Sequence, residues 1–133
     1  HFPYYRNLSI ITPNQKEAEY GAGMKITDTK SLNAVGRKLM EELNLDLCLI
    51  TRGEHGMALF EGKGEAREIP TMAREVYDVT GAGDTVISLF SACVAAGSDY
   101  QEAAVMANHA AGLVIREIGT ASVTPEQLEK VMF

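Results

Sequence analysis

Short apolar runs of strand type alternate along this chain with longer segments whose apolar positions recur every three or four residues. That alternation predicts an α/β layer architecture. Residues 9–12, Ser-Ile-Ile-Thr, predict a short strand stopped at Pro13-Asn14. In residues 31–43, Leu32, Val35, Leu39, Met40 and Leu43 share one helical face. Leu47–Thr51 predicts a buried strand ended by Arg52-Gly53. Met57–Glu61 and residues 66–69 flank Gly62-Lys63-Gly64 and predict a hairpin with a glycine-permitted turn.

Beyond Pro70, residues 75–79 read as a further apolar stretch that runs into the turn Thr80-Gly81-Ala82-Gly83-Asp84. Residues 85–96 predict a helix that is apolar nearly all round, hence one at the centre of the structure. Gly97 fits its C-cap. Asp99 and Glu102 have capping-box spacing for a helix over 100–117. Thr124, Pro125 and Gln127 mark the start of a last helix, with Thr124 as N-cap and Pro125 at the first helical position.

With 133 residues the chain is long enough for one core and short for two ordinary domains, so residues 1–133 are expected to form a single domain. Hydrophobic residues at 46% and charged residues at 23% exclude a disordered tail. The longest apolar run, 86–96, is interrupted by serines and too short for a membrane span, and no secretory signal opens the chain. Its first residue is His1 and not methionine, as in a processed or truncated piece. A net charge of −6 argues against nucleic acid or an anionic membrane as partner. An anionic ligand must then be held by local geometry. Cys48 and Cys93 sit in apolar segments, as small buried thiols of a reducing compartment do, which points to the cytoplasm. No Cys/His spacing suggests zinc.

Three polar or glycine clusters follow strand-like runs: 14–17, 51–53 and 78–84. Ligands of open α/β sheets bind outside the carboxyl ends of parallel strands, so these clusters are expected to converge on one crevice. Gly81 and Gly83 let the backbone approach a ligand without a Cβ in the way. The apolar helix behind them offers unpartnered N–H groups and the positive end of its dipole to an anion. Asp84 is a carboxylate at that same end. For a bare Gly-x-Gly-Asp, a capped helix after a tight turn is the better reading. The whole string 78–84 before a small, apolar helix shifts the balance. A nest of donors beside an ionised carboxylate is what phosphorylation of an alcohol requires. No P-loop, no dinucleotide fingerprint after a strand and no protein-kinase signature occurs.

Asp78-Val-Thr-Gly-Ala-Gly-Asp84 resembles the signature of the ribokinase-like (PfkB) carbohydrate kinases. Segments 12–17, 49–57, 74–88 and 118–125 are similar to the heptose-phosphate kinases of ADP-heptose synthesis within that family. The resemblance implies a ribokinase-like three-layer sandwich, of which this chain is the C-terminal portion of a largely parallel sheet flanked by helices. It implies ATP and a phosphorylated sugar as substrates, ADP as product and Mg²⁺ as cofactor. Asp84 would be the catalytic base, and the N–H groups of Gly81, Ala82, Gly83 and Asp84 would form the anion hole. Asn14 and Glu17, with Gln15 and Lys16 between them, match the Asn-x-x-Glu motif on the magnesium and phosphate side, acting through water. One Glu holding a hydrated ion suits Mg²⁺, which dehydrates reluctantly.

Without the resemblance, Asn14 is an N-cap and Glu17 a solvated charge on a helix face. Thr51 and Gly53 match the family's nucleotide-contacting turn; unaided they are an ordinary strand-ending turn. Asn108 and Gly119 correspond to positions bordering the adenine pocket; alone, Asn108 reads as a surface amide and Gly119 as a helix C-cap. Asp78 and the Thr80 carbonyl match positions that bind a monovalent cation such as K⁺ in some relatives, a reading level with plain turn hydrogen bonding.

The family's N-terminal sugar-binding half and lid have no likeness here, and no His-x-Gly-His of an adenylyltransferase occurs. A sheet edge left without neighbours is expected to invite pairing with another chain, and family analogy suggests a homodimer. Two functions of different class therefore stand at this point: a sugar kinase seen as its catalytic portion, or a module that binds nucleotide or a partner without catalysis. Within the first, fructose or ribose is the alternative acceptor.

Overall fold

The computed structural model describes residues 4–71, 82–116 and 124–132. It falls into two compact units, one formed by His1–Arg52 and Ala58–Glu68, the other by Gly53–Met57 and Ile69–Phe133.

In the first unit the chain runs through β1 (Ile10–Ile11), α1 (Gln15–Ala22), α2 (Thr29–Leu43), β2 (Leu47–Thr51), β3 (Met57–Glu61) and β4 (Arg67–Ile69), the last two reaching into the second unit. The strands form one sheet in the order β1-β2-β3-β4. β1 pairs with β2 in parallel, Ile10 opposite Leu47 and Ile11 opposite Cys48. Parallel neighbours need a long crossover, which α1 and α2 supply. The connections 52–56 and 62–66 are shorter than the roughly dozen residues a parallel crossover takes, so β2–β3 and β3–β4 are hairpin-type neighbours. Strand β1 is shorter than its apolar pattern predicts, because Pro13 has no N–H with which to extend the ladder.

Helix α2 starts two residues before the predicted 31, at a box in which Asp28 accepts from the Ser31 N–H and the Ser31 hydroxyl takes the Asp28 N–H. It ends on Asn44 in the left-handed region (φ 49°), whose side chain donates to Asn7 Oδ1 at 2.8 Å. Its predicted face, Leu32, Val35, Leu39, Met40 and Leu43, is buried together with Cys48, Ile50, Ala58 and Phe60. Each large aliphatic side chain so buried contributes about 1.5–3 kcal/mol. Gly36 explains how helix and strand come so close. A Cβ there would overlap the ring of Phe60, so the position accepts the cost of a mid-helix glycine. Cys48 is free and buried, and burial pushes its thiol up to about 12.

The second unit holds the 3₁₀ turn Gly53–His55, α3 (Ala82–Ala95), α4 (Tyr100–Arg116) and α5 (Pro125–Met132). α3 packs on α4, with Cys93 Sγ 3.5 Å from Met106 Sδ, and α4 packs on α5. On α4 the buried face is Ala103, Ala104, Ala107, Ala110 and Ala111, small side chains that admit a neighbouring helix closely. The predicted caps form. The Gly97 N–H donates to Val94 O at 3.1 Å and the Ser98 N–H to Cys93 O at 3.0 Å, a Schellman end on a left-handed glycine. Asp99 accepts from the Glu102 N–H at 2.8 Å, and α5 begins at Pro125 after Thr124. α3 differs from its prediction. Val86, Phe90 and Cys93 are buried, but Ser88, Ser91, Ala92 and Ala95 are exposed, so the helix is one-sided. Its alanines and serines count toward a small, apolar run yet lose little by facing water. No described helix is long and apolar enough to cross a membrane. The segment 75–79 lies outside the described residues.

Two outcomes follow from these contacts. Gly36→Ala is expected to destabilise the chain by about 1–3 kcal/mol despite alanine's better helix propensity, and Gly36→Ala with Phe60→Leu to recover part of that loss, both read by urea unfolding. Hydrogen bonds from Ser31 hold the Asp28 carboxyl below its ordinary value. A lowered folded value means stability that is present above the unfolded pKa and lost as pH falls through the folded one. Stability of the wild type should therefore drop below about pH 4 more steeply than that of Asp28→Asn, which still caps but does not titrate.

Candidate functional site

Asn14 and Thr51, from two of the three clusters, meet in the first unit. The β1–β2 register continues past the strands to a parallel bridge between Asn14 and Thr51, with the Thr51 N–H donating to Pro13 O at 3.0 Å. Asn14 and Thr51 are thus neighbours at the carboxyl ends of two parallel strands, where α/β sheets bind ligands. Asn14 also caps α1. Its Oδ1 accepts from the Glu17 N–H at 2.9 Å, and Glu17 Oε2 accepts from the Asn14 N–H at 2.9 Å. The Asn-x-x-Glu pair is therefore a reciprocal capping box, the ordinary reading of these residues. Asn14, Lys16 and Glu17 are exposed and Gln15 is half-buried. The N–H groups of Gln15 and Lys16, at the first two helical positions, have no intrahelical acceptor and stand at the positive end of α1.

Arg52 follows Thr51 and was assigned no role by the sequence. Its Nη1 donates to Glu68 Oε1 at 2.7 Å, tying the end of β2 to β4, and its Nε is buried without a partner among the described residues. The Arg52 side chain keeps 13% of its surface, so this is a largely buried pair on one side. Its only sequence signal was its place between Thr51 and Gly53.

In the second unit Gly53 opens the 3₁₀ turn with φ 55° and is exposed. The Gly56 N–H donates back to Gly53 O at 3.0 Å. Asn108 is no surface amide. It is buried on α4, and its Nδ2 donates to Pro70 O at 2.6 Å. A polar residue on an otherwise alanine-rich face was the signal for this role. Ala82, Gly83 and Asp84 form the first turn of α3, which begins three residues earlier than the apolar pattern suggests. Asp84 is therefore the third helical residue and not the cap. Asp78, Thr80, Gly81 and Gly119 lie outside the described residues.

Among the described residues no three His, Cys, Asp or Glu side chains gather as a metal cluster. Glu17 supplies one exposed carboxylate, of which Oε2 takes the Asn14 N–H. One carboxylate oxygen beside water fits Mg²⁺, which keeps most of its own waters and takes the rest of its ligands from substrate phosphates.

Comparison with known proteins identifies the family and the fold. The chain belongs to the pfkB family of carbohydrate kinases, whose profile matches residues 4–127. It is 51% identical over 124 residues to the bifunctional protein HldE of Citrifermentans bemidjiense, covering 93% of this chain and 26% of that protein. It is 48% identical over 131 residues to HldE of Pseudomonas entomophila, covering 98% and 28%. The chain thus spans about a quarter of the length of these relatives. Among solved structures, ribokinase from Arabidopsis thaliana, complexed with ribose and ATP, superposes with a TM-score of 0.84 at 25% identity, over 94% of this chain and 41% of that one. Phosphofructokinase-2 from Escherichia coli gives a TM-score of 0.84 at 15% identity over 98% and 42%, a likeness of fold alone. The fold is the ribokinase-like α/β fold, with a sheet flanked by helices.

The capping box separates structure from chemistry. Asn14→Ala should cost about 1 kcal/mol of stability, whereas Glu17→Gln, which keeps the reach back to the Asn14 N–H, should change it by less than about 0.5 kcal/mol in the same denaturant titration.

Proposed function

We propose that this chain is the nucleotide-binding and catalytic portion of an ATP-dependent kinase that phosphorylates a hydroxyl of heptose 7-phosphate, a step of ADP-heptose synthesis for the lipopolysaccharide core. The observation that carries the chemistry is the start of α3 at Ala82, which sets Ala82, Gly83 and Asp84 in the first turn of a helix. The heptose acceptor is supported by the 51% identity to an HldE protein.

In this reading the substrate hydroxyl attacks the γ-phosphorus of ATP. A new O–P bond forms, the bond from phosphorus to the ADP oxygen breaks, and the hydroxyl proton passes to the Asp84 carboxylate. The N–H groups at the head of α3 receive the charge that spreads over the transferring oxygens. Positioning and electrostatics dominate phosphoryl transfer. Thr51 and Gly53 contact the nucleotide. Asn14 and Glu17 orient water on the phosphate side, Lys16 adding an exposed cation at the same turn. Bound Mg²⁺ supplies neutralisation of the phosphate charge. The reaction runs in the cytoplasm, where ATP is made and thiols such as Cys48 stay reduced.

In the full-length protein, Asp84→Asn is expected to bind ATP as the wild type does and to lose 10²-fold or more of turnover, roughly the worth of a general base. Isothermal titration and a coupled ADP assay read the two quantities. Unchanged turnover would remove Asp84 as the base. The same assay with fructose and ribose in place of heptose 7-phosphate tests the acceptor: a higher kcat/KM for either replaces heptose 7-phosphate as the substrate.

A further inference from the structure

In the second unit the residues just after β4 are held from two sides. Asn108, 5% exposed, donates its Nδ2–H to the Pro70 carbonyl at 2.6 Å. On the other side Gly56, at φ 77°, lies so near that a Cβ there would overlap Ile69 O and stand 2.7 Å from Thr71 N and 2.8 Å from Pro70 C. Gly56 in turn closes the turn that Gly53 opens. Three stretches far apart in sequence, the Gly53 turn, the exit of β4 and the middle of α4, are thus locked at Pro70. Along the chain Pro70 precedes the Gly-Ala-Gly-Asp string.

We propose that Asn108 is a positioning residue of the nucleotide site and not a contact of the nucleotide base. It acts through Pro70, fixing the exit of β4 against the turn that carries Gly53. This rests on the kinase reading above. An asparagine amide has two N–H donors, and here one is committed to a buried backbone carbonyl. Removing it leaves that carbonyl without its partner, which is costly, and frees the backbone on either side of Pro70. A base contact predicts something else: its loss changes which base is accepted, since buried hydrogen-bonding groups discriminate between ligands. A residue that acts through the backbone affects all nucleotides alike.

The test uses the full-length protein as wild type, Asn108→Ala and Asn108→Asp. The aspartate keeps the side-chain shape and sets an acceptor against the Pro70 carbonyl, so it serves if the alanine variant does not fold. Binding of ATP and of GTP is measured by titration, and backbone hydrogen exchange is followed by mass spectrometry in the peptide after Pro70. Affinity for both nucleotides should fall by the same factor, about tenfold for one lost buried hydrogen bond, with the ATP/GTP ratio unchanged and exchange after Pro70 faster. A shifted ATP/GTP ratio, or unaltered exchange, overturns this role of Asn108 while leaving the kinase reading in place. A wild type that binds neither nucleotide overturns the kinase reading and this role with it.

Discussion

The parallel pairing of β1 with β2 is the constraint on which the first unit depends. It is a short ladder, Ile10 on Leu47 and Ile11 on Cys48, extended by one bridge from Asn14 to Thr51. So few hydrogen bonds do not hold a strand by themselves. What holds it is the crossover. α1 and α2 bury Ala18, Ala22, Leu32, Val35 and Leu39 in one cluster with Cys48 and Ile50 of β2, and the Asn7 N–H donates to Leu43 O at 2.8 Å where the chain enters β1. Because the strands are parallel, both end on the same side, and polar residues that follow them are delivered to one place.

The same atoms serve the helix end and the candidate site. A helix N-terminus needs acceptors for its first N–H groups and favours negative charge near them. A phosphate needs donors and a field of the same sign. Asn14 and Glu17 meet the first need in this structure through two reciprocal bonds of 2.9 Å. A capping box and the phosphate-side role proposed for these residues draw on one property of the backbone. Asn108 shows the opposite case, a polar side chain committed to a backbone carbonyl at 2.6 Å in a face otherwise made of alanine.

Among the described residues, glycine marks two places where backbone or ring approaches too closely for a side chain. Gly36 admits the ring of Phe60, and Gly56 admits the carbonyl of Ile69. Gly36 stands in mid-helix and Gly56 closes the turn that Gly53 opens, and each sets how closely the chain packs there. Cavities and overlaps of one methyl group are felt in interiors packed as densely as crystals.

By itself the sequence determined the alternation of elements, the buried face of α2, the strand Leu47–Thr51 and the caps at Gly97, Asp99 and Thr124, because periodicity and capping are local and act within a few residues. The string 78–84 and its neighbours were enough to indicate the pfkB family, which the profile over residues 4–127 establishes. Only the tertiary structure decided that α3 is exposed along Ser88, Ser91, Ala92 and Ala95, and that Asn108 is spent on Pro70. Those outcomes depend on partners outside the local pattern, as Asn108 reaches Pro70 across 38 residues of chain. An amide or an alanine looks the same in sequence whether water or a carbonyl waits for it.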